Sequence, residues 1–426
     1  METAQTLRFA GDVNIDMVNV ISSSGVYQDI TNQILSIQIF EDLFSPFITG
    51  SIVLKDPVDL LNIFPFIGEE TLELKLSTPT LKNGNINQRF YIYKMTDRDF
   101  VGDKVVVYQL HFTSLDSIID LNKTISKTFS GKVSDIAKTL LTDKTLGLQV
   151  TKKCIIEETS NSTKYISNFW SPIKNLFYCT PNAVNKNKSP SYVFFENRDG
   201  YNFVSLESLY QAPTIQNFTK DNYVRDERAG GGNIKDLNKD FERIGTLTIP
   251  VQFDYISRIQ SGMYGSKQYT HDITNKKITS TNYDLLQTYG KRKHLNENPL
   301  ASSKAVYRYN SKITYEQKYY NNFTNFGDST NSSTAQERLS ILKQIETSKI
   351  EITVPGRFDY TVGRKVFVKL NRVETMSEKD KDMTDKMLSG NYLISAVNHY
   401  IDRERHECVM ELVKDSLMLD LNKAKK

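Results

Sequence analysis

At 426 residues the chain is too long for one compact core and predicts two to four domains. Its 54 Lys and Arg against 50 Asp and Glu, with 24% charged and 39% hydrophobic residues, exclude both a basic nucleic-acid-binding tail and an acidic disordered chain. No apolar run is long enough for a spanning helix, Met1-Glu2-Thr3 opens no secretory signal, and Cys154, Cys179 and Cys408 lie too far apart for a disulfide framework or a paired metal knuckle, so a soluble protein of a reducing compartment is expected.

From Gly25 to Phe112 the pattern has period two. Leu35, Ile37 and Ile39 alternate with Ser36 and Gln38, and Leu72, Leu74 and Leu76 with Glu73 and Lys75. Val106, Tyr108, Leu110 and Phe112 form one face of a longer strand. With turn signals at Pro57, Pro65, Gly68 and Asn83-Gly84, this predicts an antiparallel barrel or sandwich.

The period then changes. After Ser130, a candidate N-cap, Val133, Ile136, Ala137, Leu140 and Leu141 trace one helical face. Ser171-Pro172 predicts a second helix start, with Ile173, Leu176 and Phe177 on one side. A hairpin follows, Tyr192 to Glu196 and Tyr201 to Ser205 around the turn Asn197-Arg198-Asp199-Gly200, which makes 116–235 a mixed α+β region. Gly230-Gly231-Gly232 reads as a break, and Phe241 to Ile259 as extended chain returning to the first β module. The stretch 270–333 is polar, with Asn321 to Ser333 as a loop. Thr334 and Glu337 have capping-box spacing for a helix reaching Ile345, with Ala335, Leu339 and Leu342 along one side. Ile350, Ile352 and Val354 open a second β region that continues through Val366, Val368 and Leu370, Tyr392 to Ile401, and Glu407 to Val413.

Chemistry is sparse. There is no phosphate loop, no dinucleotide fingerprint, no H-E-x-x-H, no C-x-x-C and no nucleophile elbow. His399, His406 and Cys408 are the nearest metal-like group, and at alternate strand positions they read as hairpin side chains rather than ligands. Asp236, Asn238 and Asp240 begin like a calcium loop, but Phe241 replaces the turn glycine and Leu247 the bidentate glutamate. Glu69-Glu70, the candidate pair for sugar hydrolysis, point to opposite faces of a strand. Lys291-Arg292-Lys293-His294 reads as a solvated basic loop, and the Phe194-Phe195 and Tyr201-Phe203 aromatics as packing around a turn. The Asn322-Phe323-Thr324 acceptor site carries no weight without a secretion signal. No catalytic, cofactor-binding or metal-binding residue is assigned, and no cofactor is expected.

More specific is the stretch Trp170-Ser171-Pro172-Ile173-Lys174-Asn175-Leu176 followed by Ser191-Tyr192-Val193-Phe194-Phe195-Glu196-Asn197-Arg198-Asp199-Gly200-Tyr201-Asn202-Phe203. It resembles the middle domain of the baseplate central hub proteins of contractile-tailed (T-even-like) bacteriophages. The C-terminal third is similar too, through Val354-Pro355-Gly356, Val362-Gly363-Arg364-Lys365-Val366, Gly390-Asn391-Tyr392-Leu393-Ile394 and Glu411-Leu412-Val413-Lys414-Asp415-Ser416. Near the N-terminus, Ile37 to Phe40, Phe44-Ser45-Pro46 and Gly50-Ser51-Ile52 resemble the first hub barrel, while 270–333 has no counterpart.

The resemblance implies an α+β, mainly β chain, with two tail-tube-like antiparallel β-barrels and an inserted α+β domain. The expected division is a first barrel over 1–115 completed by 236–275, the insert over 116–235, a polar connector over 276–333, and a helix plus second barrel over 334–426. It further implies a homotrimer, whose two barrels per chain make a pseudo-sixfold ring between tail tube and central spike, with DNA passing through the channel. Implied partners are the spike protein, the tail tube protein, and the tape measure and baseplate wedge proteins, without specific nucleic-acid binding or membrane contact. The implied location is the virion tail baseplate, after assembly in the host cytoplasm. The core half of a type VI secretion spike or of an extracellular contractile injection system is the nearby alternative. A tail-associated cell-wall hydrolase and a glycan-binding tail protein are alternatives of other classes.

Overall fold

The computed structural model describes residues 9–64, 66–79, 81, 85–101, 104–220, 237–273, 275–302, 312–317, 330–372 and 383–423. Pro65, Asn83-Gly84, Gly230-Gly231-Gly232, Asp236, Asn322 and most of the loop expected from Asn321 to Ser333 lie outside the described residues.

The first module is β1 (Asn14–Ile21), β2 (Tyr27–Asp29), β3 (Ile34–Asp42), β4 (Thr49–Asp56), β5 (Thr71–Ser77), β6 (Asn85–Phe100) and β7 (Val106–Ser114), paired in the order β3-β4-β7-β6-β5-β1-β2. Leu72, Leu74, Leu76, Tyr108, Leu110 and Phe112 are buried, as alternation across a half-covered sheet requires. Strand β3 departs from its expected phase: Ile34, Ile37 and Ile39 point inward and Leu35 is exposed. Its pairing with β4 slips between Ile34 and Ser36, and a bulge of one residue turns the preceding side chains to the other face.

The middle of the chain holds β8 (Ile125–Lys132), the helix Val133–Thr142, β9 (Cys154–Ile156), β10 (Ser162–Trp170), the helix Pro172–Asn182, and the hairpin β11 (Tyr192–Asn197) and β12 (Gly200–Ser205). Val133, Ile136, Ala137, Leu140 and Leu141 form the buried face of the first helix. Ser130 is not its cap, because β8 runs directly into the helix and Thr159 Oγ1 accepts the Ser134 N–H at 3.1 Å instead. Ser171 does cap the second helix, accepting from the Lys174 N–H at 3.3 Å. Phe177 is 40% exposed rather than inward, and Cys179 fills the position beside Ile173 and Leu176.

After β13 (Thr214–Thr219) and β14 (Thr246–Val251) come β15 (Gly265–Asp272), β16 (Lys277–Asp284), β17 (Asn298–Pro299), β18 (Ile313–Gln317), the helix Thr330–Thr347, β19 (Lys349–Pro355), β20 (Lys365–Lys369), β21 (Gly390–Asp402), β22 (His406–Val413) and β23 (Ser416–Leu417). Of the stretch expected to be extended from Phe241 to Ile259 only β14 is strand; Leu237–Glu242 and Tyr255–Ser261 are helical. Strand β14 pairs with β19 rather than with the first module, and β15 pairs with β16 and β18 in a sheet of its own. The polar connector is therefore structured where described, around the small cluster of Met263, Tyr264, Tyr283, Leu285 and Ala301. The capping box is not made either. The helix begins four residues before Thr334, and Arg292 grips the Glu337 carboxylate with Nε at 2.6 Å and Nη2 at 2.9 Å.

The two β modules are halves of one sheet, in the order β14-β19-β22-β21-β3-β4-β7-β6-β5-β1-β2, with β20 and β13 alongside. Strand β21 makes the junction. Its N-terminal half pairs with β20, its C-terminal half with β3, and β22 lies along its other edge. Each half covers its own apolar cluster, and a third cluster fills the middle of the chain.

Candidate functional site

The hairpin β11–β12 is buried on both faces. Because successive strand side chains point to opposite sides, Tyr192, Phe194, Tyr201 and Phe203 enter the middle cluster, while Val193, Phe195 and Val204 enter the second-module cluster. Its tip is a polar joint. Glu41 on β3 accepts the Arg198 and Val362 N–H groups, each at 3.1 Å, and the Thr361 hydroxyl. Arg198 Nη1 donates to the Phe358 carbonyl at 2.6 Å, Arg364 Nη2 pairs with Asp199 Oδ2 at 2.5 Å, and Gln88 of β6 donates to the Arg198 carbonyl at 2.8 Å. One residue inside the tip, Glu196 accepts from Ile48 N–H at 2.9 Å and Ser114 Oγ at 2.5 Å and is ion-paired to Lys152. Burial pushes the Glu41 carboxyl up to about 7 despite these donors, and it raises Glu196 as well. Glu41 was legible only as a charge in phase with Ile37 and Ile39; nothing in the sequence marked its partners, which lie 157 and 321 residues away.

Beside this joint sit His399, His406 and Cys408, all fully buried. His399 faces Cys408 across β21–β22 and Ile39 across β21–β3. His399 Nδ1 lies 2.9 Å from His406 Nε2, and Cys408 Sγ lies 3.2 Å and 3.5 Å from the two. Phe358 stacks on His406 with centroids 4.4 Å apart, and a Cβ on Gly356 would stand 2.2 Å from the His406 ring, so only glycine fits there. Desolvation holds His399 down at about 4 and His406 well below its ordinary value, while it raises the Cys408 thiol. Two neutral imidazole nitrogens at hydrogen-bond distance share one proton, and among the described residues His406 Nδ1 has no partner, a burial that costs about 1–3 kcal/mol.

The other sequence candidates serve the fold. Glu70 accepts the Ile67 and Gly68 N–H groups at 2.9 and 3.0 Å, and Glu69 is exposed, so the two carboxylates do not converge. Asn238 and Asp240 lie in a helix rather than a calcium loop. Lys291 and Lys293 of the basic cluster are exposed as expected, but Arg292, besides Glu337, donates to the Asn187 and Lys188 carbonyls, and His294 Nδ1 sits 2.7 Å from Asp415 Oδ2. Among the described residues no helix is long and apolar enough to cross a membrane. The ends of the long sheet are apolar. At the β14 end Val251, Phe253, Tyr255 and Ile256 are exposed, and at the β2 end Val26 and Tyr27.

Comparison with known proteins agrees with this architecture. No family model matches the chain. A curated relative, "Probable baseplate hub protein gp334" of Vibrio phage KVP40, is 22% identical over 405 residues, covering 91% of this chain and 91% of that protein. The crystal structure of the tail protein from Neisseria meningitidis MC58 superposes with a TM-score of 0.54 at 12% identity, covering 94% of this chain and 96% of that one. The 43 kDa tail protein of prophage MuSo2 from Shewanella oneidensis gives 0.52 at 9% identity, covering 94% and 98%. The chain is thus similar along nearly its whole length to a phage baseplate hub protein, and it has the mainly β fold of phage tail proteins.

Proposed function

We propose that the chain is a structural subunit of a phage baseplate hub. Three copies form a pseudo-sixfold ring that connects the tail tube to the central spike and leaves a channel for DNA during ejection. The observation that carries this reading is the end-to-end similarity to a hub protein, joined to a sheet whose two apolar ends have no covering strand among the described residues. A β14 edge flanked by Phe253 and Ile256 is a liability in a monomer and an asset in a ring, where one copy's end meets a different surface of the next. Apart from 236–275, whose β14 joins the second module, the domain division belongs to the same proposal, as do the spike, tube, tape measure and wedge partners and residence in the virion baseplate after cytoplasmic assembly. The subunit acts as scaffold and performs no catalysis. Its buried carboxylates at the joint and at Glu70 are occupied by backbone and side-chain donors.

The test is solution mass by light scattering. A species near three times 48.9 kDa, alone or in a three-to-three complex with the cognate spike protein, is expected. The double substitution Phe253→Asp, Ile256→Asp is expected to give a folded monomer. A wild-type chain that stays monomeric with the spike present would overturn the ring.

A further inference from the structure

We propose that His399, His406 and Cys408 form a binding site for one late first-row transition-metal ion of the zinc–copper class. The three donors come from adjacent strands, His399 on β21 and His406 and Cys408 on β22, and their ligand atoms already converge. Around a zinc ion with bonds of about 2.0–2.1 Å to nitrogen and about 2.3 Å to sulfur, tetrahedral donors stand about 3.3–3.6 Å apart. The separations here are 2.9, 3.2 and 3.5 Å, so the side chains need move by only a few tenths of an ångström.

Donor chemistry narrows the ion. Two imidazoles and a thiolate suit borderline and soft metals and reject magnesium or calcium, which demand oxygen. Beside the sulfur lies the Arg357 carbonyl oxygen, 4.0 Å from Cys408 Sγ. Both rings and the thiol are completely buried. Binding replaces the Cys408 S–H bond by a sulfur–metal bond and releases one proton to solvent. Asp359, Glu41 and Arg357 all act electrostatically on Cys408, with Arg357 paired to Asp359.

The surroundings hold the ligands in place. His406 is pinned by its own backbone, which donates to the Gly11 carbonyl at 2.8 Å and accepts from Gly356 N–H at 2.7 Å, and its ring lies between Gly356 and Phe358. The ion would rivet the place where β21 leaves the second module and meets β3 of the first. Its role is structural, since no donor is exposed to substrate.

The experiment uses the full-length chain, stripped with chelator, then dialysed against zinc(II), or against copper(I) under reducing conditions, and analysed for bound metal by mass spectrometry. One ion per chain is expected, with a rise in thermal midpoint over the stripped protein, and the metal retained tells zinc from copper. Cys408→Ser is expected to lower retention by about tenfold or more. Cobalt(II) added to the wild-type chain should give a thiolate-to-cobalt charge-transfer band, a readout that stands even where the variant fails to fold. Retention of neither zinc nor copper, retention undiminished in folded Cys408→Ser, or a cobalt complex without the thiolate band would each overturn the site.

Discussion

Glu41 shows how one side chain can carry a joint between three parts of a chain. It stands on β3 of the first module, receives the hairpin tip through Arg198 N–H, and receives the second module through Thr361 and Val362. Removing its carboxylate from water outweighs those donors and the nearby Arg198 charge, so its carboxyl titrates near 7 in the folded chain against 4.5 when solvated. A carboxyl with a raised folded value binds more protons folded than unfolded between those two limits. Its contribution is therefore fully present below pH 4.5, is lost as pH rises through 7, and stays lost above that. The size is at most about 3 kcal/mol. We expect the stability of the chelator-treated protein to decline from pH 5 to 7.5 by more than that of Glu41→Gln, whose amide cannot ionise. Parallel denaturant midpoints for the two proteins across that range would show that the carboxyl stays ionised.

At the scale of elements, the hairpin β11–β12 is the member on which the others converge. Phe194 and Phe195 are neighbours in sequence yet belong to different cores, and Gly363 lies so close to the Phe195 ring that a Cβ would come within 2.8 Å. Phe195→Ala would leave a cavity that three rigid layers cannot close, at a cost of about 3–5 kcal/mol. A denaturation curve shifted by less than about 1 kcal/mol would mean the site collapses. The hairpin was legible because its turn chemistry and strand residues are local. So were the strands of both modules and the helix at Ser171-Pro172. What escaped was pairing. Strand β14 could not be assigned to β19, about 100 residues on, because alternation tells which face a residue uses and not which strand lies beside it. The helix Thr330–Thr347 was misplaced for another reason. Its inward face carries Ser340, Gln344 and Thr347, held by bonds such as Ser340 Oγ to the Met263 carbonyl at 2.6 Å, so the apolar stripe that would trace the helix is weak along its second half. His399, His406 and Cys408 were read as hairpin side chains, and the β21–β22 register sets them on one side.

For the whole molecule, the continuous sheet decides how the chain comes apart. Two separate barrels joined by a linker would melt independently, whereas these modules share a strand junction and also trade core residues. Phe358, from the second half of the chain, is buried in the first cluster, and Leu43, from the first half, in the second. Neither cluster can open without stripping β3 from β21 and exposing an apolar side chain that belongs to the other. Cooperativity of this kind makes both modules one unfolding unit, because a partly opened state gains chain entropy for one half and loses packing in both. Calorimetry of the full-length chain should therefore show one transition for the two modules. A core truncation in either, Leu74→Ala in the first or Ile352→Ala in the second, should lower that same transition as a whole. Each substitution removes a fully buried aliphatic side chain and should cost about 2–5 kcal/mol. Two resolved transitions, one moved by Leu74→Ala alone and the other by Ile352→Ala alone, would mean that the β3–β21 pairing does not couple the halves. With the coupling in place, the two modules unfold as one body through the β3–β21 pairing.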